Sequence, residues 1–164
     1  MLYTLLMDVS FVYMASDLHN LIIVESPSKA KTLKRFLGND YQIEASVGHV
    51  RELPKSDLGV YVDNGFKPTY VASKDKSKVI TQLKKLLKNA STLYLATDPD
   101  REGEAIAWHL MELLDPKIPV KRLAFHEITK TAIQESFDHI RDIDQSLVSA
   151  QEARRILDRL WGYL

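Results

Sequence analysis

Short apolar runs, each broken by a turn signal and followed by a stretch of helical period, recur along this chain. Residues 21–24 are wholly apolar and stop at Glu25-Ser26-Pro27, where Ser26 can cap a helix and Pro27 can take its first position. The spacing predicts a helix over 28–37, with Ala30, Leu33 and Leu37 on one face, Lys29, Lys31, Lys34 and Arg35 elsewhere, and Gly38-Asn39 as its stop. Residues 41–47 alternate as a strand and leave it at Gly48. Residues 51–74 carry Pro54, Gly59, Asn64-Gly65 and Pro68, which predicts a long excursion with a small hairpin at the Asn-Gly step.

Regular pattern returns at Asp75. Val79, Leu83, Leu86 and Leu87 recur at helical spacing while Lys78, Lys84, Lys85 and Lys88 face away, as on a surface helix with a solvated basic side. An apolar strand at 93–96, the acidic turn DPDREGE, a helix through Leu114, a strand at 120–125 and a helix at 129–140 follow. Strands alternating with helices predict an α/β fold with a parallel sheet covered on both faces. The final stretch, 145–164, sets Ala153, Ile156, Leu157, Leu160, Trp161 and Leu164 on one helix face and ends without a stop signal, so the chain reads as truncated there.

The chain has 164 residues, 45% of them hydrophobic, enough for one core and one domain. It has no cysteine, which excludes disulfides and thiolate chemistry and leaves oxygen and imidazole as metal ligands. Its formal net charge is zero, so binding of nucleic acid has to come from local clusters of charge. The first fourteen residues are apolar except for Asp8 but lack a basic flank and fall short of the about 20 residues a spanning helix needs, so no membrane element is expected. A second start at Met14 suggests that residues 1–13 are an upstream extension, and a docked apolar arm is the alternative.

The acidic turn changes the picture most. Asp98, Asp100, Glu102 and Glu104 lie within seven residues directly after an apolar strand, at the sheet edge where α/β folds bind ligands. Such crowding is costly unless protons or a cation relieve it, and a hard divalent ion such as Mg²⁺ suits these oxygens. With an extended turn, Asp98, Asp100 and Glu102 could point at one spot, whereas Glu104 suits the first helical turn beside the macrodipole. A calcium loop is excluded, because its twelfth position is His109 instead of a glutamate. A solvated acidic helix start remains the alternative. Glu25 also ends a strand, so it can stand beside the acidic turn if the two strands are neighbours, and one carboxyl of such a group can keep a proton as a general acid. Lys29, in the first turn of its helix, adds an ammonium to free backbone N–H groups and suits a phosphate. Taken singly, Glu25 also reads as a capping acid and Lys29 as a surface lysine.

The segments VESPSKAKTL, SVGHVRELP, LGVYVDNGFKPTY, YLATDPDREGEAIAWHL, FHEIT and QEARRILDRLWGY, in this order, resemble the opening of the bacterial type IA DNA topoisomerases over about residues 20–164. The resemblance implies a Toprim fold, a Rossmann-like four-stranded parallel sheet with helices on both faces, over 20–140. It also implies that 141–164 begin a neighbouring gate-forming domain and leaves 1–19 as an extension. By this match Glu25 is the general acid, Lys29 contacts the scissile phosphate, and Asp98, Asp100 and Glu102 hold Mg²⁺, with Glu25 a further candidate ligand. His49, Arg101, Arg154 and Arg155 are the implied DNA contacts. The family reaction is ATP-independent: a tyrosine attacks a DNA phosphodiester, another strand passes, and the break is resealed. That relaxes negatively supercoiled DNA through a single-stranded segment, in the cytoplasm at the nucleoid, without a nucleotide cofactor. None of the seven tyrosines sits in the motif of the family nucleophile, so this stretch alone is expected to bind metal without cleaving. A free-standing Toprim nuclease and a docking module that keeps only the fold are the competing functions.

Beside that frame, His49 reads equally as a loop histidine bonded to backbone. His109 is expected to pack, and His126 with Glu127 to support the site from a strand end. Arg154, Arg155 and Arg159 on the last helix either meet phosphate or decorate its surface, with Asp158 at pairing distance from Arg154.

Overall fold

The computed structural model describes residues 19–162. The extension expected before residue 19, Tyr163 and Leu164 lie outside them. His19, counted with the extension, is already the first residue of a strand and pairs with Ala90.

Four strands form a parallel sheet: β1 (His19–Val24), β2 (Tyr41–Ala45), β7 (Ala90–Leu95) and β8 (Val120–Arg122), in the order β2-β1-β7-β8. Ile22 faces Ile43 on one side and Tyr94 on the other, and Leu95 faces Arg122. Residues 21–24 and 93–96 are completely or almost completely buried, as central strands of a doubly covered sheet must be. Helices α1 (Pro27–Leu37) and α4 (Lys130–Asp138) cover one face, where Leu33 and Ile133 meet Ile22, Val24, Ile43 and Leu123. Helices α2 (Ser77–Leu87) and α3 (Arg101–Leu114) cover the other, where Ile80, Leu83, Ile106 and Leu110 meet Leu21, Ile23 and Leu95. The faces expected for α1 and α2 are the ones that pack. The sequence overextended two strands: β2 stops at Ala45 because Val47 and Gly48 take positive φ, and β8 stops at Arg122, past which the chain turns toward α4.

The excursion carries two small antiparallel pairs. β3 (Arg51–Glu52) pairs with β6 (Val71–Ala72), and β4 (Val60–Tyr61) with β5 (Lys67–Pro68). The second is the hairpin at Asn64-Gly65, with Gly65 left-handed at φ 61°. Helix α5 (Gln145–Trp161) packs along α3 and buries Val148 and Gln151. The apolar face expected at its far end is not buried on this body: Leu157 is 66% and Trp161 84% exposed. Among the described residues no helix is long and apolar enough to cross a membrane.

The strand order fixes the site. The chain runs from β1 outward to β2, then returns past β1 to β7, so the connections leave neighbouring strands toward opposite faces. This switch point, at the carboxyl ends of β1 and β7, is where open α/β sheets form their ligand crevice. Glu25 directly follows β1, and the acidic turn follows β7.

Candidate active site at the carboxyl end of the sheet

The turn after β1 folds as its residues dictate. The Ser26 side chain accepts from the Lys29 backbone N–H at 3.3 Å, Pro27 opens α1, and Lys29 is thereby held in the first turn with its side chain over the crevice. Its Nζ donates to Asp98 Oδ1 at 2.5 Å and forms an ion pair with Glu25 Oε1. Burial works against this ammonium, but hydrogen bonds and charge from Asp98 and Glu25 outweigh it and hold the Lys29 pKa above its ordinary value. Glu25 Oε2 is buried and accepts no hydrogen bond. The ends of the two strands thus meet, with one lysine joining their carboxylates.

The acidic turn does not gather the other carboxylates as an extended stretch would. Helix α3 already begins at Arg101, so Asp98, Asp100 and Glu102 lose the alternation that could aim them at one spot. Asp100 caps the helix, its Oδ1 accepting from Gly103 N at 2.8 Å. Glu102 accepts from the Gln151 amide at 2.7 Å and lies 2.8 Å from His49 Nε2. Burial opposes the Glu102 charge, but His49, Gln151 and Arg155 outweigh it and lower its pKa. Among the described residues no three His, Asp or Glu groups stand together as a ready cation cage. The donor set nevertheless fits a hard divalent ion: Asp98, Asp100 and Glu102 offer only oxygen, the Asp98 and Glu102 side chains are about half open at 42% and 55% exposure, and Glu25 Oε2 lacks a partner.

Glu104 lies in the first turn of α3, as expected, and is completely buried there. It accepts from Arg122 Nη2 at 2.7 Å, Arg141 Nη2 at 2.6 Å and Asp144 N at 3.0 Å. Arg122, on β8 and equally buried, also donates to the backbone oxygens of Asp98 at 2.9 Å, Leu95 at 3.1 Å and Leu123. The backbone of the acidic turn therefore hangs on a buried arginine. Thr97 adds a hydroxyl donated to Gly103 O at 2.7 Å. Sequence reasoning missed Arg122, although side chains alternate along a strand, so of the neighbouring Lys121 and Arg122 one has to face the covered sheet and signals a buried acid elsewhere. Gln151 and Arg141 gave no such signal, their partners lying far off in sequence.

The remaining residues ring this centre. His49 follows the Val47-Gly48 turn and reaches Glu102, so it joins the acidic cluster instead of bonding backbone. Arg51 lies over the rings of Tyr70 at 5.5 Å and Trp108 at 5.6 Å, and His109 packs edge-on against Tyr70 at 4.5 Å. Burial first, then the positive charge of Arg51 and Arg155 and the neighbouring His49, push the His109 pKa down to about 3. Burial and the Glu152 carboxylate push the Tyr70 phenol up to about 12. Arg155 is half-buried and acts on Glu102 and His109 through its charge. Arg154 is exposed and pairs with Asp158 at 3.6 Å, and Arg101 is exposed at the start of α3. Arg159 points back to the excursion, donating to Pro54 O at 2.7 Å and Asp57 O at 3.1 Å. His126 and Glu127 are exposed.

Residues 20–128 match the family model described as the Toprim domain. The chain is 54% identical over 157 residues to DNA topoisomerase 1 of Synechococcus elongatus, covering 87% of this chain and 18% of that protein. Against DNA topoisomerase 1 of Streptomyces coelicolor it is 56% identical over 156 residues, covering 87% and 16%. The solved structure of full-length topoisomerase I from Thermotoga maritima matches with a TM-score of 0.78 at 48% identity, over 85% of this chain and 24% of that one. The chain thus spans 16–18% of the length of these curated relatives. The chain therefore belongs to the Toprim domain family, in the form carried by bacterial type IA DNA topoisomerases.

Proposed function

We propose that this chain is the Toprim portion, residues 20–140, of a type IA DNA topoisomerase that relaxes negatively supercoiled DNA by ATP-independent breakage, passage and rejoining of one strand. Residues 141–164 begin the neighbouring domain, whose body covers the exposed Leu157 and Trp161. The protein works in the cytoplasm at the nucleoid, on a single-stranded segment of underwound DNA. The observation that carries this reading is the meeting of Glu25, Lys29 and Asp98 at the crevice between β1 and β7.

The chemistry follows from those groups. Lys29, freed from one of its carboxylates, places an ammonium on the scissile phosphate and offsets the charge that builds there. Glu25 is the general acid that gives the departing sugar oxygen its proton, and its Oε2 has no hydrogen-bond partner among the described residues. Asp98, Asp100 and Glu102 would hold Mg²⁺, which would supply positive charge beside the phosphate. For that, Asp98 turns from Lys29 and Glu102 from His49, side-chain rotations that the half-open positions allow. His49, Arg101, Arg154 and Arg155 contact the DNA backbone around this centre. The nucleophilic tyrosine belongs to another part of the polypeptide, so this chain alone does not cleave.

Thermal melting with and without Mg²⁺ tests the proposal. Mg²⁺ should raise the melting temperature of the chain, and Asp98→Asn with Asp100→Asn should abolish the rise. An undiminished shift in the double variant removes the metal assignment. Incubation with supercoiled plasmid should leave it intact; metal-dependent nicking without a covalent adduct would instead make the chain a nuclease. Stabilisation by the same double substitution, with no metal effect in either protein, would leave a docking module.

A further inference from the structure

The loop that leaves β2 carries a backbone outlier beside the crevice. Val47 has φ of 58°, in the left-handed region where a β-branched side chain crowds its own backbone. The strain is not exchanged for burial, because Val47 is 41% exposed. Such a conformation persists only where surrounding bonds over-determine it. Here Ser46 N donates to Val24 O and Gly48 N to Glu25 O, both at 2.9 Å, and Ser46 Oγ donates to Gly48 O at 2.9 Å. The loop is therefore fastened to the residues that carry Glu25, and the next residue, His49, reaches Glu102.

Val47 opens onto a groove of about 480 Å³ between α1 and α2, over the outer edge of β2. Pro27, Lys31 and Lys34 line the α1 side, with both lysines exposed. The acid in the groove, Glu44, is occupied by the amides of Gln42 at 2.6 Å and Gln82 at 3.1 Å. An apolar group flanked by ammonium groups matches the alternation of sugar and base with phosphate along a nucleic-acid strand. We infer that Val47 is a substrate-contacting residue: its side chain packs on the sugar and base of a DNA single strand next to the phosphate at Lys29, and Lys31 and Lys34 take the flanking phosphates. This rests on the functional reading above. The strained backbone presents the side chain outward, where an unstrained loop would fold it away.

Fluorescence anisotropy with a labelled oligothymidine, on the full chain at one fixed low salt concentration, tests the inference together with thermal melting. Val47→Asn accepts the left-handed backbone but loses the apolar group, so it should melt roughly 2–4 °C higher and bind about threefold to tenfold more weakly. Val47→Leu keeps the apolar contact and should bind within about twofold of the parent. If Val47→Asn binds as tightly as the parent while Lys29→Ala binds more weakly, the contact is refuted and the DNA reading stands. A lower melting temperature for Val47→Asn refutes the strain and with it the inference. A parent that binds no oligonucleotide, or a Lys29→Ala variant that binds undiminished, overturns the functional reading and this inference together.

Discussion

A glycine decides whether the acidic turn can exist. A Cβ on Gly103 would lie 2.0 Å from the Asp98 carbonyl oxygen and 2.8 Å from the Asp98 amide nitrogen, both backbone atoms that cannot step aside. The close approach lets the Gly103 amide donate to Asp100 while its carbonyl accepts from Thr97. Gly103→Ala should therefore cost about 2–4 kcal/mol in urea unfolding and weaken the Mg²⁺ response, because the turn has to open. A variant as stable as the parent would mean that the turn relaxes freely. The residue was readable as part of DREGE, but its reason was not, since the clash lies between a helix and the strand end before it.

At the scale of elements, the buried pair of Glu104 on α3 and Arg122 on β8, with the partly exposed Arg141 before α5, joins three segments below the acidic turn. Burial acts against the Arg122 charge and lowers its pKa, and the hydrogen bond and charge of Glu104 offset only part of that. Glu104→Ala would leave a buried guanidinium without its anion, and chemical denaturation should show a loss of about 3–5 kcal/mol. Combining Glu104→Leu with Arg122→Met should recover much of that stability, since a packed apolar pair avoids desolvating charge. A double variant no better than Glu104→Ala would show that the bonds from Arg122 to the Asp98 and Leu95 oxygens matter more than the ion pair. The elements themselves were legible: period and caps gave α1, α2 and α3 within a residue or two. The length of β8 was not, because an isolated bridge to Arg141 and a turn toward α4, both tertiary, end it.

On the scale of the whole molecule, His109 marks where α3, the excursion and α5 close on one another. Tyr70, Trp108, His49, Arg51 and Arg155 surround it. Its folded pKa of about 3 lies below the ordinary 6.5, so the folded state stays neutral while the unfolded chain takes up a proton. This contribution to stability is therefore present in full above pH 6.5 and is lost as pH falls toward 3, by up to roughly 1.4 kcal/mol per pH unit. Acid titration of the unfolding midpoint should show this slope in the parent and a flatter limb in His109→Phe. Equal slopes would place the acid sensitivity on other groups.

By itself the sequence determined the alternation of strands and helices and the two turns that set Glu25, Lys29 and the acidic residues at strand ends. These are local: period, caps and crowded charge need no distant partner to be read. Tertiary structure alone decided that Lys29 links Glu25 to Asp98, that Asp100 caps a helix through its Oδ1, and that Glu104 serves a buried arginine instead of the site. Those outcomes depend on which strands become neighbours and where a helix starts relative to its strand. Spacing along the chain does not contain that geometry, because each partner comes from a different element.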